Sequence, residues 1–462
     1  MSISKSICNT STGTTAKGGK NGMKQVLVLG AGLVARPYVQ YMLDHGYKVT
    51  VASRTVSKAM RLLGDHPNGE ARAFDISRQV KELKDLVKPA DLVVSLLPFT
   101  FHVQVARECL RYKVNMLTTS YVSDEMRALD GQAKSADVIL MNECGVDPGQ
   151  DHMSAMKIIH KAQAEGGKVL SFTSFTGGLP APDANTNPFE YKLSWSPRGV
   201  LLAGRNSALF LRDGKEITIP GEELFANCHV ESVPELGDFE GYPNRDSLQY
   251  IDIYGLKGIQ TMLRGTLRYP GWCKTMYNIG RLGLLELDEQ PLSNLTYADF
   301  VRRNLNFSSG GDLKQQVANY LKLPVDDAVI EKLDWLGLFN DQPIAIERGA
   351  PIDVMVALFE EKLQYSVGER DMIVMQHQFI IEHKDNTQEQ VRSTLIDYGI
   401  PNGDSSMSRT VALPAAIASH LILTGEVQLK GVQIPIVPEL YEPILQELET
   451  MNIRFKEEST KT

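Results

Sequence analysis

Apolar residues recur in two rhythms along the chain, and the rhythm changes near residue 150. From 24 to 141, short apolar runs at 26–29, 49–52, 71–74, 92–97, 114–118 and 138–141 alternate with stretches of helical spacing. Runs this short, separated by helices, predict six strands of a parallel, doubly wound sheet. In that architecture a ligand lies beyond the carboxyl ends of the strands, which directs attention to 30–34, 53–55, Asp75 with Ile76, 96–98, 119–121 and 143–149.

Beyond Gly149 the texture is mixed. Asp151 can cap a helix running to about 164, with Met153, Met156 and Ile159 on one face. β-like runs follow at 169–176, 217–219 and 372–381, between loops rich in Gly, Pro and Asn. Helical spacing dominates 292–365, as at 313–321 and 354–363, and returns at 409–424, which stops at Gly425, and at 438–451. The fold class expected is α/β: a Rossmann-type doubly wound parallel sheet with a second α+β domain carrying a helical insertion. The expected division is a flexible extension at 1–22, a dinucleotide-binding domain at 23–145 completed by 405–455, and a substrate domain at 146–404 with its insertion at 292–365.

The most informative segment is Gly30-Ala31-Gly32-Leu33-Val34-Ala35, which follows the first apolar run and opens a helix. The first glycine permits the sharp turn, the second lets backbone N–H groups approach a pyrophosphate, and the third small residue packs helix on strand. A nicotinamide or flavin nucleotide fits this setting. After the second run stands Ser53-Arg54-Thr55, where a site selective for NAD usually carries an acidic residue for the ribose 2′-hydroxyl. A guanidinium flanked by two hydroxyls suits a phosphate instead, so the expected cofactor is NADP(H).

Composition narrows the remaining classes. The 462 residues are 43% apolar, enough for two or three packed domains, and carry a net charge of −8 with no basic run, which argues against a nucleic-acid partner. The five cysteines are odd in number without a Cys-x-x-Cys pair, so a reducing compartment, the cytoplasm, is expected. No apolar stretch approaches the ~18 residues that would span a bilayer. Residues 1–22 lack both acidic residues and arginine, unlike a transit peptide.

Candidate chemistry is sparse elsewhere. The nine histidines are scattered without a ligand motif, so no metal is expected. Within Asp147-Pro148-Gly149-Gln150-Asp151-His152, the last two residues read as a helix cap, while Asp147 faces the crevice. No Gly-x-Ser-x-Gly elbow is present, which leaves hydride transfer. Two later segments, 241–246 and 264–269, are dense in anion-binding groups, and Arg245 with Arg268 could clamp two carboxylates. Either arginine alone reads equally well as a surface ion pair.

These segments together resemble the glutamate-forming saccharopine dehydrogenase family, also called saccharopine reductases. The resemblance rests on the fingerprint at 26–32, Ser95-Leu-Leu-Pro98, Val114-Asn-Met-Leu-Thr-Thr-Ser-Tyr121, the Asp147 to His152 run, Gly177-Gly-Leu-Pro-Ala-Pro182, Ser194-Trp-Ser-Pro197, Gly241-Tyr-Pro-Asn-Arg-Asp246 and Leu263-Arg-Gly-Thr-Leu-Arg-Tyr269. It implies reduction by NADPH of the imine formed from 2-aminoadipate 6-semialdehyde and glutamate, giving saccharopine, or the reverse oxidation. It implies substrate contacts at Ser120, Tyr121, Asp147, Arg245, Thr266, Leu267 and Arg268, and cofactor contacts at Gly30, Ala31, Gly32, Leu33, Val34, Ser53, Arg54, Thr55, Asp75, Leu97 and Thr119; Ile76 joins these from its strand-end position. Tyr121 and Asp147 are the expected catalytic pair, at the reacting nitrogen. A family cysteine before the Gly-Gly motif is Thr176 here, which removes any thiol relay at that position. Relatives fused to a lysine-ketoglutarate reductase domain favour NAD and catabolism; absence of that domain and Arg54 point to biosynthesis. A homodimer is expected by analogy. Rival readings are an NAD-linked catabolic enzyme, a carboxynorspermidine dehydrogenase or homospermidine synthase, whose polyamine substrates would demand acidic pockets, and a non-catalytic NADP sensor.

Overall fold

The computed structural model describes residues 22–308 and 310–461. The extension expected at 1–22 lies outside the described residues, Gly22 excepted. Six strands, β1 (Gln25–Leu29), β2 (Lys48–Ser53), β3 (Gly69–Ala73), β4 (Leu92–Ser95), β5 (Asn115–Thr118) and β6 (Ile139–Met141), form a parallel sheet in the order β6-β5-β4-β1-β2-β3. Its central strands are apolar throughout because both faces are covered: Val26 and Val28 enter one core, Leu27 and Leu29 the other. The strand order reverses between β1 and β4, which opens the crevice where a nucleotide binds in such sheets.

A seventh strand, Gly431–Gln433, pairs in parallel with β6 and is absent from the reading by periodicity. Three residues carry no period, so only the distant sheet edge makes this segment a strand.

The second sheet has nine strands and is mixed. Its central strand, Lys168–Pro180, lies parallel to Thr261–Arg268 and antiparallel to Asp371–Glu382. Gly237–Pro243 and His229–Val233 continue one side; Gln388–Tyr398 and Phe455–Lys461 continue the other. The terminal strand is also absent from the sequence reading. Its Lys- and Glu-rich composition suits an exposed edge, where charge discourages pairing with other chains and no apolar face is required.

Strict alternation splits this sheet between two cores. Phe172 and Met262 face the first core, with the Gln150–Ala164 and Ser406–Thr424 helices; Phe175, Leu179, Leu263 and Leu267 face the second. The long C-terminal helix is tied to the first helix, Arg36–Asp44, where Tyr38 donates to Ser419 Oγ at 2.8 Å. The insertion covers the second core with helices Tyr297–Asn304, Leu313–Leu321, Ala328–Leu336 and Pro351–Lys362. Their starts are set locally: Thr296 and Asp299 form a capping box, and Asp312 and Asp327 cap the next two.

The alternation has a consequence for chemistry. Arg264, Thr266 and Arg268 follow Met262 on one face of their strand, so three polar side chains project where the apolar row ends.

Candidate active site

At the end of β1, Gly30 has φ +110°, and a Cβ there would stand 2.9 Å from the Leu96 carbonyl oxygen. Only glycine accommodates both demands. Ala35 is buried beneath the first turn of the Arg36–Asp44 helix. Between them, the backbone N–H groups of Ala31, Gly32, Leu33 and Val34 find no acceptor among the described residues. Leu33 is 68% exposed beside them. Four free donors at a helix start form a cradle for a pyrophosphate, and Gly32 has no heavy atom within 4 Å of its Cβ position, so the approach is open.

At the end of β2, Arg54 is exposed and forms no ion pair among the described residues, while Ser53 Oγ accepts the Thr55 N–H at 3.3 Å. An exposed guanidinium with two neighbouring hydroxyls fits a ribose phosphate. Asp75 accepts from the Ser77 hydroxyl at 2.7 Å and its N–H at 3.0 Å, which, with Arg54 nearby, holds its carboxyl below the usual range. The Ile76 side chain is buried in the apolar core of this domain. Leu97 and Thr119 are half-buried at the ends of β4 and β5.

Behind those two ends lies a histidine that the motif reading passed over. His102 Nδ1 is 2.9 Å from Ser95 Oγ, and Nε2 is 2.9 Å from Ser120 Oγ and 3.1 Å from Thr118 Oγ1. Burial lowers its pKa to about 4, so the ring is a neutral bracket for three hydroxyls, one of them on an expected substrate residue. Its position after β4, among the strand-end segments, is the signal that could have found it.

Where the two sheets meet, Asp147, Asp151 and Arg264 form a buried triad. The Arg264 Nη2 donates to Asp147 Oδ1 at 2.8 Å and to Asp151 Oδ2 at 2.5 Å. Tyr121 donates to the same Asp147 oxygen at 2.9 Å, leaving Oδ2 without a partner among the described residues. Burial and the neighbouring Asp151 push Asp147 above the usual carboxylate range, against the pull of Arg264 and Tyr121. Asp151 moves the other way, because His152 and Arg264 outweigh its burial. Asp151 is not the cap expected from sequence: the helix begins at Gln150 with Gly149 as its N-cap and no side-chain cap, and Asp151 lies within the first turn, accepting the Gly149 N–H and the Arg264 guanidinium.

A second layer supports the triad. His152 lies 2.7 Å from Glu143 Oε2 and 2.5 Å from the Tyr254 hydroxyl, and Tyr250 donates to the same Glu143 oxygen at 3.2 Å. The Arg264 guanidinium sits 4.4 Å from the Tyr250 ring centre. The sequence reading sets His152 aside as part of a helix cap, reaches Glu143 and Arg264 only as members of the segments 143–149 and 264–269, and does not reach Tyr250 or Tyr254; Arg264 lies four residues before Arg268 and therefore on the same strand face.

The three arginines keep different company. Arg264 is neutralised by carboxylates. Arg245 is exposed, in the left-handed region at φ +55°, with its guanidinium 5.4 Å from the Tyr121 ring centre. Arg268 is buried between the rings of Tyr191 and Trp272, at 5.1 and 5.6 Å, and among the described residues its side chain hydrogen-bonds only the adjacent Leu267 carbonyl. Glu240, directly across the strand pair, is spent instead on the N–H groups of Gly271 and Cys273. Among the described residues, Arg268 Nε and the Nε1 of the neighbouring Trp272 are buried without a partner, as are Thr176 Oγ1 and Ser194 Oγ. Thr266 is half-buried beside Thr176, whereas the Leu267 side chain points into the second core and offers a ligand only backbone. Arg245, Tyr121, Asp147 and Ser120 thus gather at one end, and Thr266 with Arg268 at the other.

Comparison with known proteins agrees over nearly the whole chain. The profile of the saccharopine dehydrogenase NADP binding domain matches residues 26–141, and that of the saccharopine dehydrogenase C-terminal domain matches 145–453. A saccharopine dehydrogenase [NADP(+), L-glutamate-forming] of Pyricularia oryzae is 38% identical over 445 residues, covering 94% of this chain and 98% of that protein. The mitochondrial alpha-aminoadipic semialdehyde synthase of Bos taurus is also 38% identical, over 95% of this chain but 48% of its own length. The apo structure of the L-Glu forming saccharopine dehydrogenase from Saccharomyces cerevisiae superposes with a TM-score of 0.85 at 37% identity, covering 95% of this chain and all of that one.

Proposed function

The chain belongs to the saccharopine dehydrogenase family, and we propose that it reduces the imine of 2-aminoadipate 6-semialdehyde and L-glutamate with NADPH, reversibly giving saccharopine in lysine biosynthesis. One observation carries the substrate class: among the described residues neither Arg245 nor the buried Arg268 has a carboxylate partner, and each lies instead against aromatic rings. A buried guanidinium is costly unless an anion meets it, and the unpartnered Arg268 Nε and Trp272 Nε1 are donors suited to carboxylate oxygens. Arg264 and Arg268 are four residues apart on one strand, roughly 13 Å at a strand rise of ~3.3 Å per residue. A substrate reaching from Asp147 to Arg268 is therefore extended and acidic at separated points, as saccharopine is.

The chain's own groups divide the work. The N–H groups of residues 31–34 hold the pyrophosphate, and Arg54 with Ser53 and Thr55 holds the 2′-phosphate; NADPH, when bound, supplies hydride to the imine carbon. Arg245 and Arg268 grip substrate carboxylates. Asp147 Oδ2 faces the cationic nitrogen, and Tyr121 and Arg264 hold that carboxylate in place from its other oxygen. Positioning and electrostatics supply most of the rate, as expected where charge is stabilised by fixed groups.

The division proposed is a cofactor domain at 23–145 completed by 405–455 and a substrate domain at 146–404. A cytoplasmic homodimer is the proposed assembly. Free Arg54 disfavours an NAD-linked role, and unneutralised arginines disfavour a polyamine substrate. The test is the initial rate with aminoadipate semialdehyde and glutamate, using NADPH and NADH in parallel. A strong preference for NADPH is expected; equal rates, or no turnover, would reject the reading.

A further inference from the structure

Beside Arg268, Cys228, Glu240 and Cys273 converge from three elements. Cys228 precedes the His229–Val233 strand, Glu240 lies on Gly237–Pro243, and Cys273 is the second residue of the Trp272–Arg281 helix. The two sulfurs and a Glu240 carboxylate oxygen all lie within 4.8 Å of one another. Glu240 accepts the N–H groups of Gly271 and Cys273 at 2.8 Å each, which pins the helix start to the sheet and Cys273 against Cys228.

The two thiols differ as an attacking and a resolving sulfur differ. Cys228 is partly exposed and Cys273 is fully buried. The hydrogen bond from Cys273 lowers the Cys228 thiol to about 7, despite burial and Glu240. Cys273 is pushed up by making that bond and by its burial. A substantial thiolate fraction therefore exists at neutral pH on the accessible sulfur. Cys109 and Cys144, by contrast, are buried with their thiols pushed up by desolvation.

We propose that Cys228 and Cys273 form a dithiol that a hydroperoxide oxidises reversibly to an intrachain disulfide. The Cys228 thiolate attacks the peroxide O–O bond, giving a sulfenic acid and releasing water or an alcohol. The Cys273 thiol then forms the S–S bond and displaces the sulfenic oxygen as a second water. The sulfur pair loses two electrons and the peroxide gains them; an external dithiol reverses the step by exchange. The bond ties the edge strand to the helix that follows Arg268. A thiophilic cation such as Zn²⁺ would use the same three groups, but three protein groups fall short of a closed four-ligand site, and the carboxylate already serves two backbone donors.

The test treats the full-length protein with a few equivalents of hydrogen peroxide, blocks remaining thiols with a maleimide, and maps peptides by mass spectrometry. The expected result is a peptide pair joined through Cys228 and Cys273, two hydrogens lighter, that dithiothreitol restores, while Cys109 and Cys144 stay reduced. C273S should stop at a Cys228 sulfenic acid that dimedone captures. Absence of the linked pair in the unmutated protein, or faster oxidation of Cys109 or Cys144, would overturn the proposal. So would one equivalent of Zn²⁺ retained through dialysis and lost in C228S, which would assign the cluster to a metal.

Discussion

Arginines of one chemical type do three jobs here because their neighbours differ. Arg264 is buried between Asp147 and Asp151, so Arg264→Met leaves two carboxylates facing each other without a cation. Breaking a buried ion pair from one side costs about 3–5 kcal/mol, and urea unfolding should show a loss of that size. Arg268 has no carboxylate partner among the described residues, so Arg268→Met should leave stability nearly unchanged, or raise it, while KM for the amino-acid substrate rises by roughly 10- to 100-fold, the worth of a charge-assisted bond. Equal destabilisation by the two substitutions would refute the distinction. Arg54 is exposed and unpaired among the described residues. Arg54→Ala should raise KM for NADPH by roughly 10- to 100-fold and leave that for NADH unchanged, which steady-state kinetics with both cofactors decides.

Among elements, the strand-turn-helix at β1 and the Thr261–Arg268 strand carry the site. The two glycines of the turn are constrained differently. Gly30→Ala meets a left-handed φ and a backbone oxygen at 2.9 Å, so a loss of about 1–3 kcal/mol is expected together with weakened NADPH binding. Gly32→Ala has space around it in the protein alone, and its stability should stay within about 0.5 kcal/mol. Its cost should appear in cofactor affinity, because the added methyl occupies the approach to the free N–H groups. Thermal melts with and without NADPH separate the two effects. In the strand, period-two alternation turns one sequence into a core face and a ligand face. Leu263 and Leu267 point one way, and Arg264, Thr266 and Arg268 the other, so the same alternation both anchors the strand and aims the guanidinium groups.

Across the whole molecule, two buried histidines make acid sensitivity a property of the fold. His102 and His377 are held near pKa 4 by burial, below the ordinary 6.5. Between those values the unfolded chain binds protons that the folded chain refuses. The stabilisation is therefore complete above pH 6.5 and is lost as pH falls toward 4, by up to about 3 kcal/mol per histidine. His377→Gln should flatten the fall in unfolding free energy between pH 7 and pH 4.5; an unchanged slope would show that His377 does not cause it. The sequence by itself determined β1 to β6, the glycine turn, Arg54 in place of an acidic residue, and the strand-end positions of Tyr121 and Asp147. Each follows from local periodicity or from a short turn whose backbone tolerates few residues. Tertiary structure alone decided the Gly431–Gln433 strand, the charged edge strand Phe455–Lys461, and which arginine is neutralised. Arg264 meets Asp147 and Asp151 across 117 and 113 residues of chain, and no local period encodes a pairing over that separation. An arginine's neighbours in sequence leave a structural ion pair and a free ligand group indistinguishable; the difference arises when the sheets pack and bring, or withhold, a carboxylate.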